Sequence, residues 1–330
     1  MFKYLGIMES SAPAQIQIQK RKHLVIFDAS FVVFYRFHAT RAHYAKSYAE
    51  EFETYPDDYN WLADKVFMDN FNRQFKKNII DLPKNLSILP DSPTDSITYI
   101  WAQDCPARDI WRHKYMEGYK GTRKETHVKQ KFYSYEIFTH VYEKLLPEYC
   151  TLQGAPHHLV KVANCEADDI VAQTVLNFGS HFDRVYIIAS DTDYLQICDG
   201  EHIALYDLLG KKKIVELMGR KYLLGKIMCG DASDNIPACK FFRCSMKSIS
   251  GHLDNPDKMG AIQTILDKIA AREAALPSTE LMPTPALELA GLNETEIAFY
   301  RNAKVIDFTL LPALYKTNIK LEVAKCLHLN

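Results

Sequence analysis

The 330-residue sequence lacks several features that would assign it to a specialised class of protein. Its eight cysteines form no CxxC pair, and the closest two, Cys239 and Cys244, have no histidine at zinc-finger spacing. This argues against a cysteine-rich zinc module and favours free thiols in a reducing compartment. The 40 basic and 41 acidic residues nearly cancel, so the overall charge points to neither a polyanion nor a membrane surface.

Long apolar runs are also missing. No stretch approaches the ~20 apolar residues that a membrane-spanning helix needs. The opening residues 1–22 lack the apolar block of a signal peptide. We therefore expect residues 1–22 to form a flexible tail, and the protein to be intracellular with no membrane partner.

Three apolar segments each end on an aspartate. The segments are HLVIFD, SITYIWAQD and VYIIASD, and their terminal acids are Asp28, Asp104 and Asp191. Continuous β-branched and aromatic runs are typical of strands buried on both faces, as in a parallel sheet. Between these runs, residues 61–80, 132–146 and 166–178 carry apolar side chains at helical spacing. The alternation predicts an α/β fold with a central, mostly parallel sheet flanked by helices.

The sheet pattern stops near residue 215, and helical patterns follow it. We expect an α/β core over residues 23–215 and a helical subdomain over residues 216–330 that packs on the sheet.

Acidic residues gather where the predicted strands end. Because the carboxyl ends of parallel strands share one edge of a sheet, we expect these acids to lie close together. They are Asp28, Asp104, Asp191 and Asp193 at strand ends, Glu166, Asp168 and Asp169 in CEADDIVA, and Asp231 and Asp234 in CGDASDNIP. We further expect Asp191 and Asp193 to continue their strand and to point to the same face of it.

Each acidic group has a structural interpretation when it is taken alone. Acids in the first turn of a helix cap it, and DTD and GDASDN are ordinary turn sequences. Two ionised groups ~4 Å apart repel by about 4 kcal/mol at an effective dielectric near 20, so the whole set favours a bound cation. Oxygen ligands without histidine or cysteine select Mg²⁺ or Mn²⁺. Two such ions about 3.5 to 4 Å apart promote phosphodiester hydrolysis.

A basic stretch, residues 105–131, follows Asp104. It holds eight Lys or Arg residues against three Asp or Glu, and aromatic residues lie between them. Basic groups bind phosphates and aromatic faces stack on unpaired bases, which predicts contact with single-stranded nucleic acid. A solvated helix face is the alternative interpretation.

These motifs resemble the flap-endonuclease superfamily of structure-specific 5' nucleases, and most closely its stand-alone phage replication enzymes called ribonuclease H. IFDAS is similar to the first acidic motif of that family, and AQDCPARDIWRHKYMEGYKGTR to the second motif with its helical arch. CEADDIVA, IIASDTDYLQI and CGDASDNIP are similar to the third, fourth and fifth motifs. The resemblance runs in order from about residue 23 to residue 320 and implies a PIN-like nuclease core.

The resemblance implies a role for each matching residue. One Mg²⁺ ion would be held by Asp28, Asp104, Glu166, Asp168 and Asp191, and a second by Asp193, Asp231 and Asp234, with Asp169 serving either. Mn²⁺ could substitute. Lys120 and Arg123 would engage the scissile phosphate, with Arg112 as a supporting contact and Tyr119 as a base-stacking residue.

The fifth motif departs from the family pattern. Many members continue into a glycine-rich helical hairpin that grips duplex DNA through a potassium ion, but here the glycines are missing until Gly251. A potassium site is therefore not expected, although the phage enzymes share the departure. Lys240, Arg243 and Lys247 could contact duplex phosphates instead, or form a solvated face.

The resemblance implies a 5'-3' exonuclease and 5'-flap endonuclease acting on branched or RNA-primed DNA, located wherever the DNA is replicated. Its partners would be 5' flaps, single-stranded 5' ends and RNA–DNA hybrids, with a sliding clamp or single-strand-binding protein as a candidate recruiter. Two alternatives remain open: a repair or recombination nuclease acting on bubbles or junctions, and an inactive protein that binds DNA structures.

Overall fold

The central element is a parallel sheet with helices on both faces. The computed structural model describes residues 20–88, 95–122, 135–153, 157–275 and 291–329. In this part of the chain five parallel strands lie in the order β3-β2-β1-β4-β5. They are β1 (Arg21–Asp28), β2 (Asp95–Gln103), β3 (His157–Lys161), β4 (Arg184–Ile188) and β5 (Ile203–Tyr206). The predicted α/β architecture is confirmed.

Helices connect and cover the strands. Before β3 they are α1 (Ala29–Ser47), α2 (Ala49–Phe52), α3 (Lys65–Asn85), α4 (Glu136–His140) and α5 (Leu146–Gln153), the last two joined by a π turn at Val141–Leu145. After β3 they are α6 (Ala167–Phe178), α7 (Gly219–Cys229), α8 (Ile249–Leu253), α9 (Pro256–Ala275), α10 (Glu294–Ile306) and α11 (Ala313–Leu327).

The alternating side chains of the strands build a core on each face of the sheet. In β1, Val25 and Phe27 belong to a cluster with α1 and α3, while Leu24 and Ile26 belong to a cluster with α6 and the C-terminal helices. All four side chains are fully buried. A strand buried on both faces needs apolar residues at every position, which is why this segment reads as a continuous apolar run.

The strand order fixes the position of the acidic edge. The chain moves outward from β1 to β2 and β3, then returns to the other side of β1 for β4 and β5. Ligands of such sheets bind outside the carboxyl ends of the strands, at the point where the order reverses. Asp28, the last residue of β1, lies at that point.

Three sequence expectations about element bounds need correction. Arg21 and Lys22, expected in the tail, belong to β1, while residues 1–19 lie outside the described part. The helix expected from residue 61 begins at Lys65, because the side chain of Asp64 caps its first turn. Strand β4 ends at Ile188, so Asp191 lies in a loop and Asp193 begins a short 3₁₀ turn.

The segment expected to form an arch is partly described. Residues 105–122 contain two short 3₁₀ turns, Ala107–Asp109 and Trp111–Lys114, and residues 123–134 lie outside the described part. The segment is tied to the fifth motif, since the backbone N–H of Lys120 donates to the carbonyl of Asp234 at 3.0 Å. Of the helices that the structure describes, none is long and apolar enough to cross a membrane.

Side-chain hydrogen bonds join the C-terminal helices to the region around the sheet. Arg112 Nε donates to the carbonyl oxygen of Val305 at 2.8 Å, and Gln196 Nε2 donates to that of Ile306 at 3.0 Å. Asn302 Nδ2 donates to the carbonyl of Ile227, at 2.9 Å, and so fixes the last turn of α7. These contacts hold α7 and α10 beside the acidic edge.

Candidate metal centre

A cavity of about 620 Å³ opens at the carboxyl edge of the sheet. Six of the nine predicted metal ligands line it together with Lys120: Asp28, Asp104, Glu166, Asp168, Asp191 and Asp234. The structure therefore brings five separate motifs of the sequence to one place.

Backbone amides orient several of these carboxylates before any ligand is present. One oxygen of each accepts a hydrogen bond: Asp28 from the N–H of Phe31 at 3.0 Å, Asp104 from Ala167 at 2.7 Å, and Asp191 from Asp193 at 2.9 Å. Neither Asp104 nor Asp191 has a hydrogen bond at its second oxygen among the residues that the structure describes. Each of these two acids therefore has one anchored and one free oxygen.

The pKa values of Asp28 and Asp168, two acids that line the cavity, are raised. Burial, and then the nearby charges of Asp104 and Asp191, raise the pKa of Asp28 to about 7. The phenol of Tyr194 donates to its second oxygen at 3.0 Å and partly offsets this effect. Sequence reasoning missed Tyr194, whose signal was its place in the fourth motif directly after Asp193.

The third motif is held by a buried guanidinium. Arg112 donates from Nη1 to Glu166 at 2.7 Å and from Nη2 to Asp169 at 2.7 Å. Burial opposes the charge of Arg112, but Asp168 and Asp169 raise its pKa well above the usual value. The side chain is only 2% exposed in this conformation and faces the acids, so its predicted contact with a substrate phosphate would require it to move. Arg112 instead positions the acids.

The aromatic residues of the first basic stretch are also buried. Tyr119 is 2% exposed, and its hydroxyl donates to Glu166 at 3.1 Å and to Asp234 at 3.3 Å. In this conformation the ring of Tyr119 is enclosed, so its predicted base-stacking role would require it to move. Trp111 is 1% exposed and donates from Nε1 to Asp169 at 2.9 Å. These rings face the acids and the core, so they are not available to a nucleic acid.

Lys120 is the basic residue that reaches the cavity. Its ammonium forms a hydrogen bond with Glu166 and lies 3.6 Å from Asp234 Oδ2. Burial opposes its charge, but Glu166 outweighs that effect and the pKa of Lys120 is raised well above its usual value. Lys120 is therefore a permanent cation at the cavity wall. Arg123, its predicted partner, lies outside the described residues.

Lys226 of helix α7 is a second cation that sequence reasoning missed. Its ammonium lies 2.7 Å from Asp193 Oδ1 and forms a hydrogen bond with Asp231 Oδ2. Asp193 and Asp231 turn toward this lysine and do not line the main cavity. The available signal was the five-residue spacing between Lys226 and Asp231. A lysine in the last turn of a helix can reach an acid at that distance in the turn that follows the helix.

An aromatic wall lines another side of the cavity. It consists of Phe31, Phe34, Tyr135 and Phe138, and Tyr135 is 52% exposed. Phe31 and Phe34 lie one turn apart at the start of α1, directly after Asp28. Helical spacing after the first acidic motif was the signal for these two residues, and sequence reasoning did not use it.

The basic side chains of a second basic stretch, residues 239–248, are exposed, although Cys239 and Phe242 are buried. Lys240, Arg243 and Lys247 all face solvent, and between them Phe241 is 64% exposed. Arg243 has a φ of +43°, in the left-handed region that glycine adopts most easily. The backbone therefore makes a left-handed turn here without the expected glycine. Lys247 also lines a smaller cavity of about 430 Å³, together with Lys226 and Tyr222.

The donor set of the main cavity suits a hard divalent cation. Its polar lining is carboxylate and hydroxyl oxygen with Lys120, and Oδ1 of Asp168 is buried without a hydrogen-bond donor, 3.5 Å from Arg112. In the part of the chain that the structure describes, no three His, Cys, Asp or Glu side chains yet close around a point as a metal shell would. The acids fit the ion chemically, and completing a shell would require their side chains to move.

Comparison with known proteins agrees with this arrangement. Residues 23–227 match the family model described as 5'-3' exonuclease, N-terminal resolvase-like domain. No curated protein matches the chain. Two solved structures similar to it are the bacteriophage T5 D15 protein co-crystallized with metal ions and the T5 D15 flap endonuclease in a complex with DNA and metal ions. They share 15% and 16% identity, each with a TM-score of 0.56 and 93% of this chain covered.

A third similar structure is the T5 5'-exonuclease with bound zinc, at 16% identity and a TM-score of 0.56, where the match covers 93% of this chain and 99% of that one. The first two matches each cover 98% of the T5 chain. These similarities show a shared PIN-like fold along nearly the whole length. Because the family model covers the sheet and every acidic motif up to α7, the chain belongs to the 5'-3' exonuclease family.

Proposed function

We propose that this protein is a divalent-metal-dependent 5'-3' exonuclease and 5'-flap endonuclease that hydrolyses phosphodiester bonds in branched or RNA-primed DNA. Primer removal during replication is the role that such an activity fits. One observation carries the proposal: acids from five motifs and a buried lysine meet in one cavity at the carboxyl edge of the sheet. The similar structure of the T5 D15 flap endonuclease with DNA and metal ions supports the same substrate class.

Two groups of acids would hold the ions, directly or through water. Asp28, Asp104, Glu166, Asp168 and Asp191 would serve the first, and Asp193, Asp231 and Asp234 the second, with Asp169 serving either. Mg²⁺ is the ion expected and Mn²⁺ a substitute. Bound there, the ions would supply a water of lowered pKa and would stabilise charge on the leaving oxygen. The amide hydrogen bonds to Asp104 and Asp191 orient these ligands in advance, which reduces the reorganisation that binding requires.

The protein's own groups would bind and orient the DNA. The ammonium of Lys120 lies at the cavity wall, near Asp234. When DNA binds, this ammonium would exchange its contact with Asp234 for one with the phosphate at the cleavage point. The aromatic wall of Phe31, Phe34, Tyr135 and Phe138 would stack on unpaired bases, the role first assigned to Tyr119. Lys240, Arg243 and Lys247 would contact the duplex backbone, which their exposure permits.

The test is cleavage of a 5'-labelled flap by the purified protein with Mg²⁺, compared for the wild type, Asp191→Asn and Asp199→Asn. Asp191 and Asp199 both accept backbone amides through Oδ1, but Asp199 does not line the cavity. We expect Asp191→Asn to lower the rate by about 100-fold or more, since several kcal/mol of charge stabilisation depend on the ions. Asp199→Asn should cleave normally.

Substantial cleavage by Asp191→Asn would refute the metal assignment. Tight binding of the flap by the wild type without cleavage would refute the enzymatic activity and revive the inactive binding protein. A panel of flap, nicked, junction and RNA-primed substrates, run in parallel, would separate replication from recombination substrates.

A further inference from the structure

Positive charge is distributed unevenly among the acids at the sheet edge. Asp28, Asp104 and Asp191 have no ion pair with any Lys or Arg of the described residues. Asp193 and Asp231, by contrast, share the ammonium of Lys226. The two groups of acids are therefore in different electrostatic states before any ligand binds.

The side chain of Lys226 is well enclosed. It is 10% exposed, and the two carboxylates that it joins are 17% and 15% exposed. Burial raises the pKa of Asp193 to about 6, with Asp191 adding to the effect and Lys226 opposing it. The pKa of Asp231 is lowered, because hydrogen bonds from Lys226 and Ser233 outweigh its burial. At neutral pH the ammonium thus stands between two carboxylates.

Helix α7 holds Lys226 in this position. The carbonyl of Lys226 accepts the N–H of Gly230 at 2.8 Å, and Gly230 has a φ of +70° that starts the turn containing Asp231. The side chain nevertheless has space to move. It lines the cavity of about 430 Å³ that Lys247 and Tyr222 also line.

We propose that Lys226 is a positioning residue whose ammonium occupies the place of the second divalent cation in the metal-free protein. This inference rests on the proposed function and deepens it. An ion that enters between Asp193 and Asp231 must displace the ammonium into the neighbouring cavity. Asp28, Asp104 and Asp191 can bind an ion without displacing a cation, while Glu166 and Asp168 keep their contacts with Arg112. The two positions therefore fill in order, and the lysine lowers the affinity of the second one.

The lysine also preserves the fold in the absence of metal. Asp193 and Asp231 are close to the same point and are poorly solvated, so without a cation they would repel each other. Removing the ammonium is therefore expected to have two opposite effects. The metal-free protein becomes less stable, and it binds the second ion more tightly.

The experiment is titration of Mg²⁺ into the DNA-free protein by calorimetry, with thermal unfolding measured in EDTA and in Mg²⁺. The variants are Lys226→Met, which removes the charge, and Lys226→Arg, which keeps it. Lys221→Met is the control, because Lys221 lies on the same helix but pairs only with exposed Asp254. We expect the wild type to bind a second ion at least tenfold more weakly than the first, and Lys226→Met to reduce that gap by about tenfold or more.

Lys226→Met should also unfold at a lower temperature in EDTA and gain more from Mg²⁺ than the wild type does. Lys226→Arg and Lys221→Met should bind both ions as the wild type does. An unchanged or weaker second affinity in Lys226→Met would overturn the inference, as would equal affinities in the wild type. If Lys226→Met fails to fold, Lys226→Gln provides the same comparison.

The outcome is separable from that of the proposed function, because ion binding is read without substrate. A wild type that cleaves flaps, together with an unchanged Lys226→Met isotherm, would remove only this inference. A wild type that binds two ions in sequence but cleaves no DNA would remove only the proposed activity.

Discussion

The two basic stretches of the chain lie in opposite environments. In residues 105–122, Arg112 and Lys120 are buried among carboxylates, and their neighbouring aromatic rings are buried with them. In residues 239–248, Lys240, Arg243 and Lys247 face solvent around an exposed Phe241. Both stretches look alike as sequence, since each interleaves cations with aromatic residues.

The difference teaches that distant acids decide what a basic residue does. Arg112 is buried because Glu166 and Asp169, 54 and 57 residues away, supply the charges that compensate it. Across residues 239–248 no ion pair to an acid is formed within the described part of the chain. The cations of the first stretch hold acids of the candidate site in place, whereas those of the second stretch are exposed to solvent.

The largest expected effect is the loss of Arg112. Arg112→Ala leaves Asp169 buried without its cation and leaves Glu166 with Lys120 alone, which should lower the free energy of unfolding by about 3 to 5 kcal/mol. Denaturant unfolding measures it. The matched control is Arg108→Ala, whose side chain is 88% exposed and should change stability by less than about 0.5 kcal/mol. Equal effects of the two substitutions would remove the distinction between the stretches.

The second basic stretch should show the reverse behaviour. Combined replacement of Lys240, Arg243 and Lys247 by alanine should weaken duplex binding by about tenfold or more, with little change in stability. The salt dependence of binding should become shallower by about 0.9 for each phosphate that the variant no longer neutralises. Fluorescence anisotropy in EDTA, at several salt concentrations, measures both. An unchanged salt slope would mean that these residues form only a solvated face.

Smaller effects on stability and on DNA affinity are expected when a buried aromatic residue, Tyr119, and an exposed one, Phe241, are replaced. Tyr119→Phe removes the hydroxyl that donates to Glu166 and Asp234, and should cost about 1 kcal/mol of stability without changing affinity for DNA. Phe241→Ala should do the opposite, with unchanged stability and about 1 kcal/mol weaker binding to DNA with unpaired bases. Thermal unfolding and anisotropy on the same two proteins decide it.

The smallest expected effect is a gain in stability. Arg243 has a left-handed backbone conformation, which costs a residue with a side chain about 1 kcal/mol. Glycine would remove that cost, but its greater conformational freedom in the unfolded chain would offset part of the gain. Arg243→Gly should therefore stabilise the protein by about 0.5 kcal/mol and weaken duplex binding. Arg243→Ala loses the same charge but keeps the strain, so it should bind as weakly without the gain. Denaturant unfolding distinguishes them.

The sequence predicted the sheet well because its strands are buried on both faces. A continuous apolar run such as residues 23–27 has few alternative structures, and the acid that ends it marks the carboxyl edge. The shared edge of a parallel sheet also predicted that Asp28, Asp104 and Asp191 would lie close together, and all three line one cavity. The topology of the sheet therefore determines where these acids lie.

Local geometry beyond the strand ends was not predictable in the same way. Strand alternation was extended to Asp193, but β4 stops at Ile188 and the chain turns. The turn sends Asp193 to Lys226 and leaves Asp191 at the cavity. Such ion pairs depend on how deeply each side chain is buried and on the direction in which it points. Neither property can be read from charge counts or residue spacing.

The anchored oxygen of Asp104 and of Asp191 has an evolutionary consequence. Asparagine can accept the same backbone amide through its own Oδ1, so drift from Asp to Asn would preserve the loop while removing the charge. A lineage could therefore lose catalysis with hardly any change in shape or stability. Under the proposed metal assignment, a single atom at the unanchored position of each side chain would separate a nuclease from an inactive copy.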